Sequence, residues 1–241
     1  MITSEELTSN PEALRDFAKV QWSREDYQAH VLGNLTRVSR TARGIVDTNA
    51  SADKAEKMAA DLNAQTAAER AHQNVKEAVA LAYDNKDHEI NTAKEVRDLI
   101  EKLARTVNKD ITKSDVLYRS GAESPKHFSR IADLEPAMQQ FSQELIERLQ
   151  DPKSNPIDNA AFAEYRIDLR DHFFADGCAK TSKVVSAWVL MRAGLRIPDY
   201  PDRLEYYKHA PKERKSIDTP SATDPDLREF TNFYRTLFLN T

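Results

Sequence analysis

Residues 172–198 read "HFFADGCAKTSKVVSAWVLMRAGLRIP", and the rest of the chain is best understood outward from them. From Val184 the residues are almost all apolar: Val184, Val185, Ala187, Trp188, Val189, Leu190 and Met191. A helix that is apolar on nearly every side belongs in the middle of a protein. Gly194 and Pro198 follow as ordinary stop signals. The reading is a central, buried helix over 178–193, entered through a loop that carries a histidine, an acid, a glycine and two lysines.

Around this helix the pattern stays helical. Residues 4–20 read as a helix interrupted or restarted at Ser9–Pro11. Residues 24–45 carry Tyr27, Val31, Leu35, Val38, Ala42 and Ile45 at helical spacing, with Gly44 near the end. Residues 51–83 and 88–107 are further helices, and so are 134–150 and 158–172. The texture changes between, where "DVLYRSGAESPKHFSRIADLEP" places Gly, Pro and Ser at turn positions after a β-prone start at Val116–Tyr118. A loop or small hairpin is expected there. Residues 198–225 read as a proline-rich linker before a last helix at about 225–239. Five glycines in 241 residues suit an all-α fold, because glycine disfavours helix.

Composition excludes several functions. A net charge of −4 argues against a nucleic-acid-binding surface, which is normally basic. One cysteine, Cys178, rules out an internal disulfide framework and fits a reducing compartment. The beginning, "MITSEELTSNPEALRDF", has neither the basic nor the apolar region of a signal peptide, and no run of about 18 apolar residues suggests a membrane span. The expectation is a cytoplasmic protein, or an effector exported without such a signal. No two histidines stand four apart, so a helical zinc site is not expected. "DNKDHE" at 84–89 lacks the glycine and distal glutamate of a calcium loop. "KHAPKERK" at 208–215 reads as a solvated basic tract.

The chemistry of the loop follows from its place. The first amides of a helix have no internal acceptors and carry the positive end of its dipole, which makes an anion site. Gly177 lets a phosphate approach the backbone, and the amides of Cys178 and Ala179 follow. Lys180 and Lys183 oppose the dipole, so a bound polyanion would give them a purpose. Asp176 stands where a carboxylate could hold Mg²⁺ against phosphate. His172 could take a proton from an incoming hydroxyl. The helix N-terminus and nearby lysines favour a low thiol pKa for Cys178, and burial opposes it. On residues alone a plainer reading stays open: a structural histidine before a helix, with Asp176–Gly177 as an ordinary turn.

The order of these residues resembles the Fic/Doc family, whose signature is His-Pro-Phe-x-(Asp/Glu)-Gly-Asn-Gly-Arg-x-x-Arg. His172, Phe174, Asp176 and Gly177 match it. Phe173 replaces Pro, Cys178 replaces Asn, Ala179 replaces Gly, and Lys180 and Lys183 replace the two Arg. "AWVLMRAGLRIP" is similar to the family's following helix, and "LYRSGAESPKHFSRIADLEPAMQQFSQELIERL" to its flap and next helix, so the resemblance spans roughly 90–200. It implies an all-α bundle around the central helix with one short β-hairpin flap. It also implies a helical region at 1–89, a core domain at 90–200 and a linker and helix at 201–241.

The resemblance further implies transfer of a nucleotidyl (AMP-like) or other phosphate-containing group, from a nucleotide such as ATP to a hydroxyl on a protein or small molecule. In that scheme His172 is the general base and Asp176 the Mg²⁺ ligand. Gly177, Cys178, Ala179, Lys180 and Lys183 bind phosphate, and Tyr118, Arg119 and Gly121 form the substrate flap. "SRTARG" at 39–44 is similar to the family's inhibitory helix but carries Arg43 where a glutamate is expected. Arg43 would then add a phosphate contact and could not pair with Lys183. Lysine lacks the bidentate fork of arginine, so an altered donor is one expectation. The alternative is a catalytically silent member that binds a partner. No nucleic acid or membrane partner is expected, and self-association is allowed.

Overall fold

The computed structural model describes the backbone of residues 9–38, 54–110, 116–120, 128–217 and 220–239, and the side chains of these except 37–38 and 54–65. Helices α1 (Pro11–Phe17), α2 (Arg24–Val38), α3 (Lys54–Asp84) and α4 (Ala93–Val107) lead to α5 (Leu134–Gln150) and α6 (Pro156–Glu164). They are followed by α7 (Cys178–Arg192), a short α8 (Arg203–Tyr207) and α9 (Pro225–Thr236). The architecture is all-α. The described residues contain no strand beyond two isolated antiparallel bridges, Lys19 with Leu195 and Tyr118 with Phe174. No described helix is long and apolar enough to cross a membrane.

Helix α7 is the axis. Residues Thr181 to Met191 are all buried, and α2, α3, α4, α6 and the turn after α6 pack around it. Each fully buried aliphatic or aromatic side chain here is worth about 1.5–3 kcal/mol, and Val184, Val185, Trp188 and Leu190 are among them. The helix stops as its sequence implies. Gly194 has φ +65°, its N–H donates to Met191 O at 3.1 Å, and Leu195 N–H donates to Leu190 O at 3.0 Å. That pair of bonds is a Schellman cap, which needs a left-handed residue and so favours glycine.

Helix α4 shows the same link from sequence to packing. Thr92 and Glu95 form a capping box at its start, satisfying two amides that would lack acceptors. Its buried residues, Val96, Leu99, Ile100, Leu103, Ala104 and Val107, recur at helical spacing and form one face toward α3, α5 and α7.

Three expectations change. The helix expected over 158–172 is α6 followed by a π-helical segment, Tyr165–Arg170, in which Asp171 N–H reaches Arg166 O at 3.0 Å. The extra residue per turn turns Arg166 and Arg170 into the core, where each meets a carboxylate: Arg166 bonds Asp171, and Arg170 lies 3.4 Å from Asp224. The expected hairpin at 116–130 is not a pair of arms in the described residues, and 121–127 lie outside them. Instead, residues 117–119 pair with the loop before α7: Arg119 N–H donates to Phe173 O at 3.1 Å, and Ala175 N–H to Leu117 O at 3.0 Å. The supposed linker after Pro198 is folded into the core, with Tyr200 and Tyr206 buried. Its basic tract is not simply solvated either, since Lys215 pairs with Asp226 at 2.5 Å and Arg214 donates to Phe128 O at 2.7 Å.

Candidate active site

The π-helical segment delivers His172 to the mouth of α7. Its φ is +50°, a left-handed conformation that side-chain-bearing residues adopt at a cost, and that recurs at functional sites. Three groups hold it there. Arg119 Nε donates to His172 O at 2.6 Å, and its Nη2 donates to both Asp171 O at 3.0 Å and Ser129 O. The Phe128 ring stacks on the imidazole with centroids 4.1 Å apart and planes within 4°. His172 Nδ1 lies 3.0 Å from Asp168 O. A carbonyl only accepts, so Nδ1 carries a proton in this contact, and in the neutral ring Nε2 is the nitrogen with the lone pair. Nε2 has no hydrogen-bond partner among the described residues.

The next turn is the start of α7, where the sequence places a candidate anion site. Gly177 has φ +73° and begins α7 without a side-chain cap. The first helical bond is Thr181 N–H to Gly177 O at 2.8 Å, so the amides of Cys178, Ala179 and Lys180 have no intrahelical acceptor. Gly177 N–H is already taken by Asp176 Oδ1 at 2.6 Å. Asp176 is exposed and keeps its second oxygen for another ligand. No group of three metal-ligating side chains occurs among the described residues. One carboxylate fits Mg²⁺, which takes most of its ligands from phosphate and water.

Asn108, at the C-terminal end of α4, closes the loop from outside. Its Nδ2 donates to Asp176 O at 2.9 Å. A methyl built on Gly177 would meet its Oδ1 at 2.4 Å. Gly177→Ala should therefore destabilise the protein by roughly 1–3 kcal/mol through strain at positive φ and this clash. Adding Asn108→Ala should return only the steric part. Chemical denaturation of the two variants checks this, and a fully additive double variant would show that the side chains do not meet.

The two lysines separate. Lys180 is half-exposed and makes no ion pair among the described residues, so its ammonium is not committed to a core partner. Lys183 differs. Its ammonium bonds Glu164 Oε1 at 2.7 Å, with the two side chains 2% and 0% exposed. The Tyr206 and Tyr200 rings lie 3.9 and 4.7 Å from that nitrogen. The expectation of a second phosphate cation fails because α7 is buried on all sides, and one turn past Lys180 its surface is already core. Tyr200 and Tyr206 also donate to Glu164, the latter at 2.8 Å. Burial pushes the neighbouring Asp168 carboxyl up.

Cys178 is buried as well. Burial, the largest effect, lifts its thiol well above the ordinary range, overriding the helix dipole. Its Sγ bonds only the backbone of Phe174. Iodoacetamide at neutral pH should leave native protein unlabelled and modify it only in denaturant, and rapid native labelling would contradict the burial. A thiol raised on folding stabilises below its unfolded pKa and loses that contribution as pH rises above it.

Phe174 anchors the loop in the core. Tyr118 donates to Glu101 Oε1 at 2.5 Å, so Tyr118 and Arg119 brace the histidine loop. Gly121 and Arg43 lie outside the described residues. Asn108, Asp168, Glu164 and Phe128 went unnoticed in the sequence. Asn108 just past a helix end, opposite a glycine, is a signal too common to single out.

No protein-family model matches the chain, and no curated protein matches it. Solved structures do. IbpAFic2 covalently tethered to Cdc42 matches with a TM-score of 0.62 at 16% identity, over 98% of this chain and 70% of that one. A Fic domain containing signaling protein from Bacteroides thetaiotaomicron gives 0.61 at 14% identity, over 98% and 92%. Fic-1 from C. elegans gives 0.54 at 17%, over 98% and 68%. With the buried axial helix and the histidine loop at its start, the chain has the fold of a Fic domain.

Proposed function

We propose that the protein transfers a phosphate-containing group, nucleotidyl in the first instance, to a hydroxyl. The observation that carries the reading is the contact of His172 Nδ1 with Asp168 O at 3.0 Å, which leaves Nε2 as the lone-pair nitrogen of the neutral ring beside an uncapped helix start. Nε2 would accept the proton of the attacking hydroxyl. The amides of Cys178, Ala179 and Lys180, with the Lys180 ammonium, would bind the donor's phosphates. Asp176 would hold Mg²⁺, which supplies charge neutralisation to the phosphates. The fold supports this class, and IbpAFic2 has been crystallised with adenylylated Cdc42, which favours a protein among the acceptors.

Labelled nucleotides, offered with Mg²⁺ and a lysate or the protein itself, test the reading by transfer of label. Lys180→Ala should weaken donor binding by roughly 1.5–3 kcal/mol, the worth of a charged hydrogen bond, as read by calorimetry. Unchanged binding would remove Lys180 from the site.

A second reading is favoured by one observation, the burial of Lys183 against Glu164, which leaves the anion site one cation short. It is a protein that binds a nucleotide or a partner and does no chemistry. Nucleotide binding with no transfer across the panel would favour it.

A further inference from the structure

Arg148, near the end of α5, is half-buried, and its guanidinium makes no hydrogen bond or ion pair among the described residues. Its guanidinium carbon lies 4.3 Å from the centroid of the Phe162 ring. Burial draws its pKa below the ordinary arginine value, with Glu144 and Asp158 acting back on it only from longer range. A partly buried cation without acceptors is costly to desolvate, and an anion beside it would offset that cost.

Arg148 stands in the wall between two clefts. One, of about 390 Å³, lies among α5, α6 and α9 and also carries Arg228, Asn232 and Ser221. The acids of this cleft are already engaged. Asp158 takes both nitrogens of Arg235 at 2.8 and 2.6 Å. Asp224 accepts from Tyr165 at 3.1 Å and pairs with Arg170. Arg148 and the exposed Arg228 are left without a direct ion pair among the described residues. Ser221 Oγ accepts from Arg166 at 3.3 Å, leaving its own proton to donate. The adjoining cleft, of about 670 Å³, shares Arg148 and Ser221 but carries Glu144, Glu147 and Asp151. One side of Arg148 therefore suits an oxyanion and the other suits hydrogen-bond donors.

We propose that these joined clefts bind a small metabolite with a phosphate or carboxylate at one end and hydroxyl or amine groups at the other. The oxyanion is held by Arg148 and Arg228 with the Ser221 hydroxyl and the Asn232 carboxamide. The acidic cleft receives the donor-bearing end. This site is independent of the group-transfer reading, because none of its residues belongs to the histidine loop.

Inorganic phosphate and citrate, titrated separately into the whole protein, are the probes, followed by the Asn232 side-chain amide signals in NMR. Saturable shifts with phosphate alone assign a phosphate ligand, and with citrate alone a carboxylate. Arg148→Gln should weaken the response at least roughly tenfold, about 1.4 kcal/mol, while Lys180→Gln leaves it unchanged. Should Arg148→Gln fail to fold, Arg228→Gln on the exposed side gives the same test. No shift with either anion at millimolar concentration, or an arginine variant that titrates like the wild type, overturns the proposal.

Discussion

Replacing His172 with alanine should reduce label transfer by about 10²–10⁴-fold, the usual contribution of a positioned general base. Nucleotide binding should remain, because the phosphate-binding amides belong to α7. The choice of residue matters, since position 172 is left-handed with φ +50°. Alanine there costs roughly 1–2 kcal/mol, whereas asparagine enters this region more readily. His172→Asn is therefore the cleaner variant: it keeps the backbone and lacks the base. Stopped-time assays on both, with circular dichroism to confirm the fold, decide the matter. Turnover retained by His172→Asn would remove the histidine from the mechanism, and the silent reading would gain.

Lys183→Ala should produce the largest loss of stability, roughly 3–5 kcal/mol, the cost of leaving one partner of a buried pair charged and alone. Glu164 would keep its bonds from Tyr200 and Tyr206, which places the loss toward the lower end. Replacing both partners, Lys183→Met with Glu164→Leu, should recover most of it, since an apolar pair often substitutes without penalty. Urea denaturation of the single and double variants measures the difference. Calorimetric donor binding on the same variants, set beside their stability, separates two roles for Lys183. A phosphate ligand would lose donor affinity on substitution and keep its stability, and a core ion pair would do the reverse.

The burial of Lys183 also marks where the sequence became illegible. The apolar run in α7, its Gly194 stop and the helix over 134–150 could be read from local patterns, because each is written within one or two turns. The position of the loop was legible in the same way: His172, Asp176, Gly177 and Lys180 fall within one short stretch of chain at the start of α7. Lys183 looked like a companion to Lys180 because spacing reports the face of a helix, not its depth. Depth is set by α6 and by Tyr200 and Tyr206, which lie up to 23 positions along the chain (206 − 183). The π-helical segment was invisible for a related reason. Over so short a segment apolar periodicity does not distinguish the 3.6 residues per turn of an α-helix from the wider π turn, and only the inward arginines Arg166 and Arg170 register the change. The Leu117–Arg119 pairing with the histidine loop joins segments more than fifty positions apart, beyond any local rule.

The tyrosines over the Glu164–Lys183 pair have a consequence for the order in which the molecule can be made. A ribosome adds about 5–20 residues per second, so α6 and α7 emerge seconds before Tyr234, whose hydroxyl bonds Ser186 of α7 at 2.6 Å. Until Tyr200, Tyr206 and Tyr234 arrive, one flank of the axial helix exposes apolar surface and a half-satisfied ion pair. The nascent chain therefore cannot complete its core by N-terminal domains folding in turn. That flank of α7 can be covered only once α9 is available to pack on it. Newly made chains stalled short of α9 should consequently occupy chaperones, and the native fold should form in one late cooperative step.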